Sequence, residues 1–482
     1  MIIELSVALY GLFLVFTVVR ILLDTHSTAK TFAYILMIIL LPLVGLFIYY
    51  SFGINYRHKR TTQRVAAELE RMADAYKGIV PDDTEAIVGS HKEHLEKYRE
   101  LIHFIHRLGG ERISNNRHEL LINGERTYPE ILRTLETAEH FIHMEYYAWE
   151  NDVRGNQVKE VLLRKLKAGV QVRILYDAYA SRKIKNNIVK ELRAGGAEVH
   201  PVIDIKLTAL ANRLNHRDHR KVVVVDGHTG FVGGLNLSDR YDNSIDTGLW
   251  WRDTHVKITG GTVHEIQRHF LINWNVAQPK QLPITPDLFP AVAGGDTGEG
   301  AEFSQIVPGG PVYPLSNIML TYFKIITQAK NKLYITNPYF IPNESILDAL
   351  KQAALSGVDV RLMVPARSDS AIVGATSKFY YAEMLRTGVR IFQYTKGFVH
   401  AKTIVADTNL SVVGTANMDI RSFDLNFEIM SVIYGKRFAQ QLESAFLEDL
   451  ESCTEITYDD WKSVGTMDRL AYASARMASS FL

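Results

Sequence analysis

Two histidine–lysine pairs, His219-Arg220-Lys221 and His400-Ala401-Lys402, recur with the same internal spacing in the two halves of a 482-residue chain. An imidazole beside an ammonium suits a phosphodiester, because the imidazole can attack phosphorus or carry a proton while the ammonium neutralises phosphate oxygens. Each pair opens a run of β-branched and small apolar residues that ends at an aspartate, Asp226 or Asp407, and so reads as a strand closed by a turn. Side chains alternate along a strand, which puts His219 with Lys221, and His400 with Lys402, on one face. Asp226 and Asp407 belong to the same repeated catalytic pattern but fall on the other face. They are expected to support the strand-end turns and their neighbours rather than touch substrate.

A single His-x-Lys is an ordinary exposed-strand pair. Two with matched surroundings are a repeated chemical element. Asn236, in Gly233-Gly234-Leu235-Asn236, and Asn417, in Gly414-Thr415-Ala416-Asn417, stand equally far beyond their histidines. One pair would supply a nucleophile and the other an acid, and the residues alone leave open which is which.

Both stretches resemble the phospholipase D superfamily, whose H-x-K-x4-D-x6-G-[GST]-x-N signature they satisfy. The resemblance implies that Asn236 and Asn417, with Gly234 and Thr415 before them, hold phosphate, and that an acidic residue farther on orients each histidine. Glu428, in Asn426-Phe427-Glu428, fits that position in the second half. Asp253 is the first-half candidate, set farther from its histidine by an apparent insertion over Tyr241–Leu249.

Positioning these groups takes a layered scaffold. Helical periodicity over Tyr128–Ala138 and Val158–Ala168 alternates with apolar strands over Phe141–Tyr147 and Val170–Tyr176. The second half repeats the order: helix Leu315–Ala329, strand Lys332–Thr336, helix Ile346–Leu355, strand Val358–Val364. Ala168-Gly-Val-Gln-Val-Arg173 and Ser356-Gly-Val-Asp-Val-Arg361 are near-copies in matching places. The expected fold class is α/β, with two phospholipase D-like repeats related by a pseudo-twofold axis and the site on that axis. The expected boundaries are 111–290 and 303–455 for the repeats, 291–302 for a Gly-rich linker and 57–110 for a helical connector. Residues 456–482 form a tail with Leu470, Ser474 and Met477 on one helical face, a possible amphipathic helix whose expected role is packing on the domain. Glu145-Tyr146-Tyr147 and Asn337-Pro338-Tyr339-Phe340 end comparable strands, where aromatic residues serve either as core or as pocket lining.

Residues 1–56 read as a transmembrane hairpin with spans of about 2–23 and 32–52. The cluster Arg57, Lys59, Arg60 and Arg64 follows at once, which places the catalytic part in the cytoplasm. A secretory signal is disfavoured by the lack of a basic start and a small-residue cleavage site. The stretch Lys206–Arg217 mixes cations with apolar residues and reads either as a headgroup-holding loop or as ordinary surface. A formal net charge of +1 argues against a nucleic-acid partner. The lone Cys453 excludes an intramolecular disulfide and a Cys-rich metal cage, and no Cys, His and carboxylate spacing suggests a metal.

The resemblance narrows to the bacterial cardiolipin synthases on Arg213–Gly227, Asn337–Pro342, Phe398–Lys402 and Arg421–Glu428, together with the amino-terminal hairpin. It covers essentially the whole chain. It implies transfer of a phosphatidyl group between two phosphatidylglycerol molecules in the membrane bilayer, releasing glycerol, without metal or organic cofactor, through a phospho-histidine on the first motif. A membrane-bound phospholipase D hydrolase is the alternative, followed by a nuclease of the same superfamily. A catalytically inactive lipid-binding scaffold would be expected to have lost a His or Lys, and both pairs are intact.

Overall fold

The computed structural model of the chain describes residues 2–24, 28–50, 70–202, 217–278, 280–291 and 300–477. The chain divides into two compact units, residues 1–64 with 205–216, and residues 65–204 with 217–482. The basic cluster at 57–64 and most of the Lys206–Arg217 stretch lie outside the described residues, as does most of the 291–302 linker.

In the first unit, helices Ile2–Asp24, Thr28–Leu40 and Pro42–Ile48 enclose a small cluster of Ile21, Ile38, Leu46 and Tyr49. Phe13 stacks on Tyr50 at 5.8 Å, and Tyr34 meets Tyr49 edge-on. Most other large apolar side chains face outward, Leu12, Leu23, Phe32 and Leu43 among them. The expectation of two unbroken spans is corrected here: among the described residues no helix is long and apolar enough to cross a membrane. The second stretch is divided because Pro42 has no N–H to continue the helical ladder, leaving helices of 13 and 7 residues.

The second unit is built on strands numbered in chain order. The first half contributes β1 (Ser114–Ile122), β2 (Phe141–Tyr146), β3 (Gln171–Tyr176), β4 (Glu198–Pro201), β5 (Lys221–Val225), β6 (Thr229–Gly233), β7 (Trp251–Arg252) and β8 (Thr254–Gly260). The second half contributes β9 (Glu302–Gly309), β10 (Lys332–Thr336), β11 (Phe340–Ile341), β12 (Asp359–Pro365), β13 (Arg390–Tyr394), β14 (Phe398–Val399), β15 (Thr403–Ala406), β16 (Leu410–Gly414), β17 (Met418–Asp419), β18 (Glu428–Tyr434) and β19 (Cys453–Ile456). Fifteen of them form one sheet in the order β19-β13-β12-β10-β15-β16-β18-β9-β1-β8-β6-β5-β2-β3-β4. Outward from the β9–β1 junction the two sides match strand for strand, β8 with β18, β6 with β16, β5 with β15, β2 with β10, β3 with β12. β1 and β9 pair antiparallel, over only Ser114–Asn116 and Glu302–Ser304. A twofold axis at a junction generates such an order.

β2, β3 and β4 are parallel, as are β10, β12 and β13, because the helices Val153–Lys167 and Glu344–Leu355 provide the crossovers. The inner strands of these sets, β2, β3, β10 and β12, are largely buried on both faces. The two sides of the sheet share one core: Val222, Val232 and Val256 lie in the same buried cluster as Val405, Val413 and Ile429. The two repeats are therefore one body rather than two separate domains. The connector packs on it as well, with Leu95, Ile102 and Ile105 in the second-half core and the Tyr98 hydroxyl donating to the Asn409 carbonyl at 2.5 Å.

The tail helix Thr466–Arg476 packs through the face opposite to the one its pattern suggests. Tyr472 stacks on Trp461 and Arg476 lies 4.4 Å from the Phe379 ring, while Met467, Leu470 and Met477 are exposed. Aromatic and guanidinium stacking on the helix Ala371–Arg386 outweighs the aliphatic stripe.

Asp226 and Asp407 occupy left-handed backbone positions, φ 50° and 51°, at the far ends of β5 and β15. The Asp226 carboxylate accepts from the N–H groups of Glu139, His140 and Phe141, and that of Asp407 from Lys330, Asn331 and Lys332. Each carboxylate thus ties its turn to the start of the adjacent antiparallel strand, β2 or β10. Asp226→Ala is expected to lower stability by about 1–3 kcal/mol through orphaned amides, with activity per folded molecule retained. Denaturant midpoints together with specific activity check this; lost turnover at unchanged stability would instead put the carboxylate in the chemistry.

Candidate active site

His219 and His400 sit just before β5 and β15, two and three residues ahead of the strands, and the register of two short cross-half pairings fixes what each meets. β7 pairs in parallel with β14, Trp251 with Phe398 and Arg252 with Val399, so the next residue on each side is Asp253 and His400. The His400 N–H donates to the Arg252 carbonyl at 2.7 Å, and His400 Nδ1 donates to Asp253 Oδ2 at 2.7 Å. The other half repeats the device. Asp218 bridges Phe427, the His219 N–H donates to the Phe427 carbonyl at 2.9 Å, and His219 Nδ1 donates to Glu428 Oε1 at 3.0 Å. Each orienting carboxylate therefore serves the histidine of the opposite repeat. With Nδ1 held by a carboxylate, Nε2 is the ring nitrogen left to act.

The supports differ between the halves. Thr415 Oγ1 donates to Glu428 Oε2 at 2.6 Å, whereas a Cβ at Gly234 would stand 2.1 Å from Asp253 Oδ1. Gly234 leaves the space its counterpart fills with a hydroxyl, and Asp253 takes the Thr254 N–H at 2.7 Å instead. The expectation that Gly234 and Thr415 hold phosphate is corrected accordingly: both back the orienting carboxylates and neither lines the cavity. Buried Arg220 links the halves again, donating through Nε to the Glu428 carbonyl at 3.1 Å.

A cavity of about 240 Å³ brings His219, Lys221, Asn236, His400, Lys402 and Asn417 together. Lys221 Nζ donates to the His219 carbonyl at 2.6 Å, and Lys402 does the same to that of His400. Asn236 accepts from the Ala148 N–H and donates to the Tyr241 hydroxyl at 2.7 Å. Its counterpart Asn417 keeps a buried Oδ1 without a partner among the described residues. Tyr147 meets the His219 ring edge-on at 4.3 Å, and Tyr241 and Trp251 flank His400. Of the aromatic strand ends, Tyr147 and Tyr339 line the cavity, while Glu145, Tyr146 and Phe340 are core. Tyr241, Trp251, Glu150, Arg240 and Asp369 also line it. Tyr241 belongs to the first-half insertion, which gave no chemical signal beyond its presence.

Burial sets the electrostatics. It pushes His219 below the ordinary imidazole value, with Lys221 and Lys402 adding to it against the pull of Glu428. It pushes His400 down to about 4, with Lys402 adding to it and Asp253 opposing. Lys221 is lowered by burial too, and Lys402 falls to about 7. Burial would raise Asp253 and Glu428, but their histidines and the nearby lysines hold both below the usual carboxylate range. The arrangement is a pair of neutral imidazoles on fixed carboxylates facing ammonium groups that an anion would stabilise.

A separate buried group, Glu111, Glu265 and His269, brings ligand atoms within 4.8 Å of one another. Arg268 Nη2 lies 2.7 Å from Glu111 and 2.8 Å from Glu265, supplying the positive charge a metal would bring.

Two His–Lys pairs in one cavity, on a strand order that repeats about its centre, define a phospholipase D-type site. Residues 131–274 and 322–450 match the family described as cardiolipin synthase, PLD-like domain, and residues 12–53 match the phospholipase D-nuclease N-terminal family. The chain is 39% identical over 470 residues to the cardiolipin synthase of Geobacillus kaustophilus, covering 97% of this chain and 92% of that one. It is 38% identical over 464 residues to cardiolipin synthase 2 of Bacillus cereus, covering 96% and 88%. The fold is similar to that of a phosphatidylserine synthase from Haemophilus influenzae, with a TM-score of 0.58 at 14% identity over 80% of this chain and 100% of that one. The chain belongs to the cardiolipin synthase family.

Crossed pairing makes a quantitative expectation. Double-mutant cycles on stability are expected to give couplings of about 0.5–3 kcal/mol for His219→Ala with Glu428→Gln and for His400→Ala with Asp253→Asn. His219→Ala with Asp253→Asn should be additive, and the reverse pattern would assign each carboxylate to its own repeat.

The lysine charge predicts a pH profile. Lys402 loses its proton as pH rises through about 7, so kcat/KM should fall on that side. Lys402→Arg should carry the alkaline limb upward, because a guanidinium stays charged. A limb that does not move would assign it to another group.

Proposed function

We propose that the protein transfers a phosphatidyl group from one phosphatidylglycerol to the hydroxyl of another, giving cardiolipin and glycerol. The observation that carries this reading is the convergence of both His–Lys pairs on one cavity, joined to full-length similarity to cardiolipin synthases. His219 Nε2 attacks phosphorus and the P–O bond to glycerol breaks, leaving a phosphatidyl-histidine. His400 protonates the departing glycerol oxygen and then takes the proton of the incoming hydroxyl, whose oxygen displaces His219. The negative charge of the phosphodiester adds to Asp253 in favouring the His400 imidazolium, so the catalytic proton is stabilised when substrate arrives. Lys221, Lys402, Asn236 and Asn417 face the oxygens of the crowded phosphorus, and Glu428 and Asp253 hold the two rings in one tautomer. The steps call on no metal or organic cofactor.

The first motif is assigned the nucleophile by family resemblance. The choice of an alcohol over water likewise rests on the relatives. Purified protein in liposomes of phosphatidylglycerol is expected to yield cardiolipin and glycerol by mass spectrometry, whereas phosphatidic acid as the main product would favour the hydrolase. Quenched with labelled phosphatidylglycerol, His400→Ala should retain covalent label and His219→Ala should not; label held only by His219→Ala would exchange the roles.

The outward apolar faces of the amino-terminal helices support a membrane anchor, because such faces are stable against lipid and costly against water. The amino-terminal hairpin of residues 1–56 would supply that anchor, with the catalytic unit cytoplasmic. In a Cys453→Ser background, Ser27→Cys is expected to react with an impermeant thiol reagent from outside intact cells and Thr62→Cys is not. The opposite labelling would reverse the orientation.

A further inference from the structure

A second cavity, of about 470 Å³, opens beside the catalytic one. The two share a wall: Pro338 and Ser368 face the second cavity, their chain neighbours Tyr339 and Asp369 face the first, and the Tyr339 hydroxyl donates to Asp369 at 2.6 Å. The second cavity lies where β10 and β12 end in a parallel arrangement, the usual location of ligand sites in such sheets.

Its lining carries Arg367 and Lys378 and no carboxylate. Arg367 makes no ion pair with any described residue, and Lys378 meets only the Tyr472 ring, at 5.7 Å. The 16-residue helix Ala371–Arg386 runs along the cavity, lining it with Ala371, Gly374, Ala375, Ser377, Lys378 and Tyr381. Ser377, only 6% exposed, lines the cavity with a hydroxyl that bonds to no described residue. Two cations and an unbonded serine hydroxyl in one recess without a carboxylate are groups that suit a phosphate.

We propose that this cavity is a second anion site, separate from the two-histidine site, that receives the phosphate of a phospholipid headgroup. The lipid origin is argued from the apolar surface outside it. Tyr472 comes from the helix whose exposed side carries Met467, Leu470 and Met477, and Ile372 beside the lining Ala371 is also exposed. These apolar groups suit acyl chains at a membrane surface.

The test reads binding without turnover and so stands apart from the transfer reaction. In full-length protein carrying Cys453→Ser and His219→Ala, Ser377→Cys places a single thiol in the recess, with Ser368→Cys as the alternative if that variant does not fold. The thiol should react faster with an anionic than with a cationic methanethiosulfonate reagent, and Arg367→Ala with Lys378→Ala should abolish the preference. Phosphatidylglycerol in mixed micelles, at ten times its half-saturating level, should slow modification about tenfold, and phosphatidylcholine micelles lacking net charge should not. Protection by inorganic phosphate alone, with none from phosphatidylglycerol, would overturn the lipid assignment. Absence of both protection and charge preference would overturn the site.

Discussion

The site depends on two short strand pairings that cross between the repeats. Phe398–Val399 against Trp251–Arg252, and Asp218 against Phe427, each run in parallel and each stop one residue before an imidazole and a carboxylate. Parallel register then leaves those two side chains next to each other, at 2.7 and 3.0 Å. A slip of one residue would turn both away. Neither repeat alone holds a properly oriented histidine, so the duplication is a condition of the chemistry rather than a doubling of it. The shared core of Val232, Val256, Val413 and Ile429 keeps the pairings in register.

Burial in that core lowers both lysines and both histidines, while the crossed carboxylates stay ionised because they are paired. The result is a site that keeps an imidazole unprotonated as a nucleophile yet gains from an arriving negative charge. Removing either carboxylate would release a ring from its tautomer as well as change its charge. The differing supports, Thr415 on Glu428 and Gly234 against Asp253, leave the halves unequal, as two distinct roles require.

Much of this was legible in the chain itself. The repeated His-x-Lys, the matched Asn236 and Asn417, and the alternation of helix and strand all follow from local spacing, and local spacing is what hydrophobic periodicity and motif length record. The turn-supporting place of Asp226 and Asp407 followed from strand parity alone. Which carboxylate serves which histidine did not, because the pairing lies between residues 147 and 209 positions apart and is set by tertiary register. The resemblance assigns Gly234 and Thr415 to phosphate, but the side-chain direction that sends Thr415 to Glu428 is not a sequence property. Pro42 was visible yet lay in an apolar run whose composition outweighed it in the reading. The tail helix presents its aromatic and cationic face inward, where the aliphatic pattern pointed the other way.

The central claim is that one shared site performs two successive displacements at a single phosphorus. The stereochemical course with a chiral phosphorothioate or oxygen-isotope-labelled phosphatidylglycerol measures this directly. Each in-line displacement inverts phosphorus, so a phosphatidyl-histidine route gives overall retention in the cardiolipin formed. Overall inversion would mean direct transfer between the two lipids and would contradict the covalent intermediate.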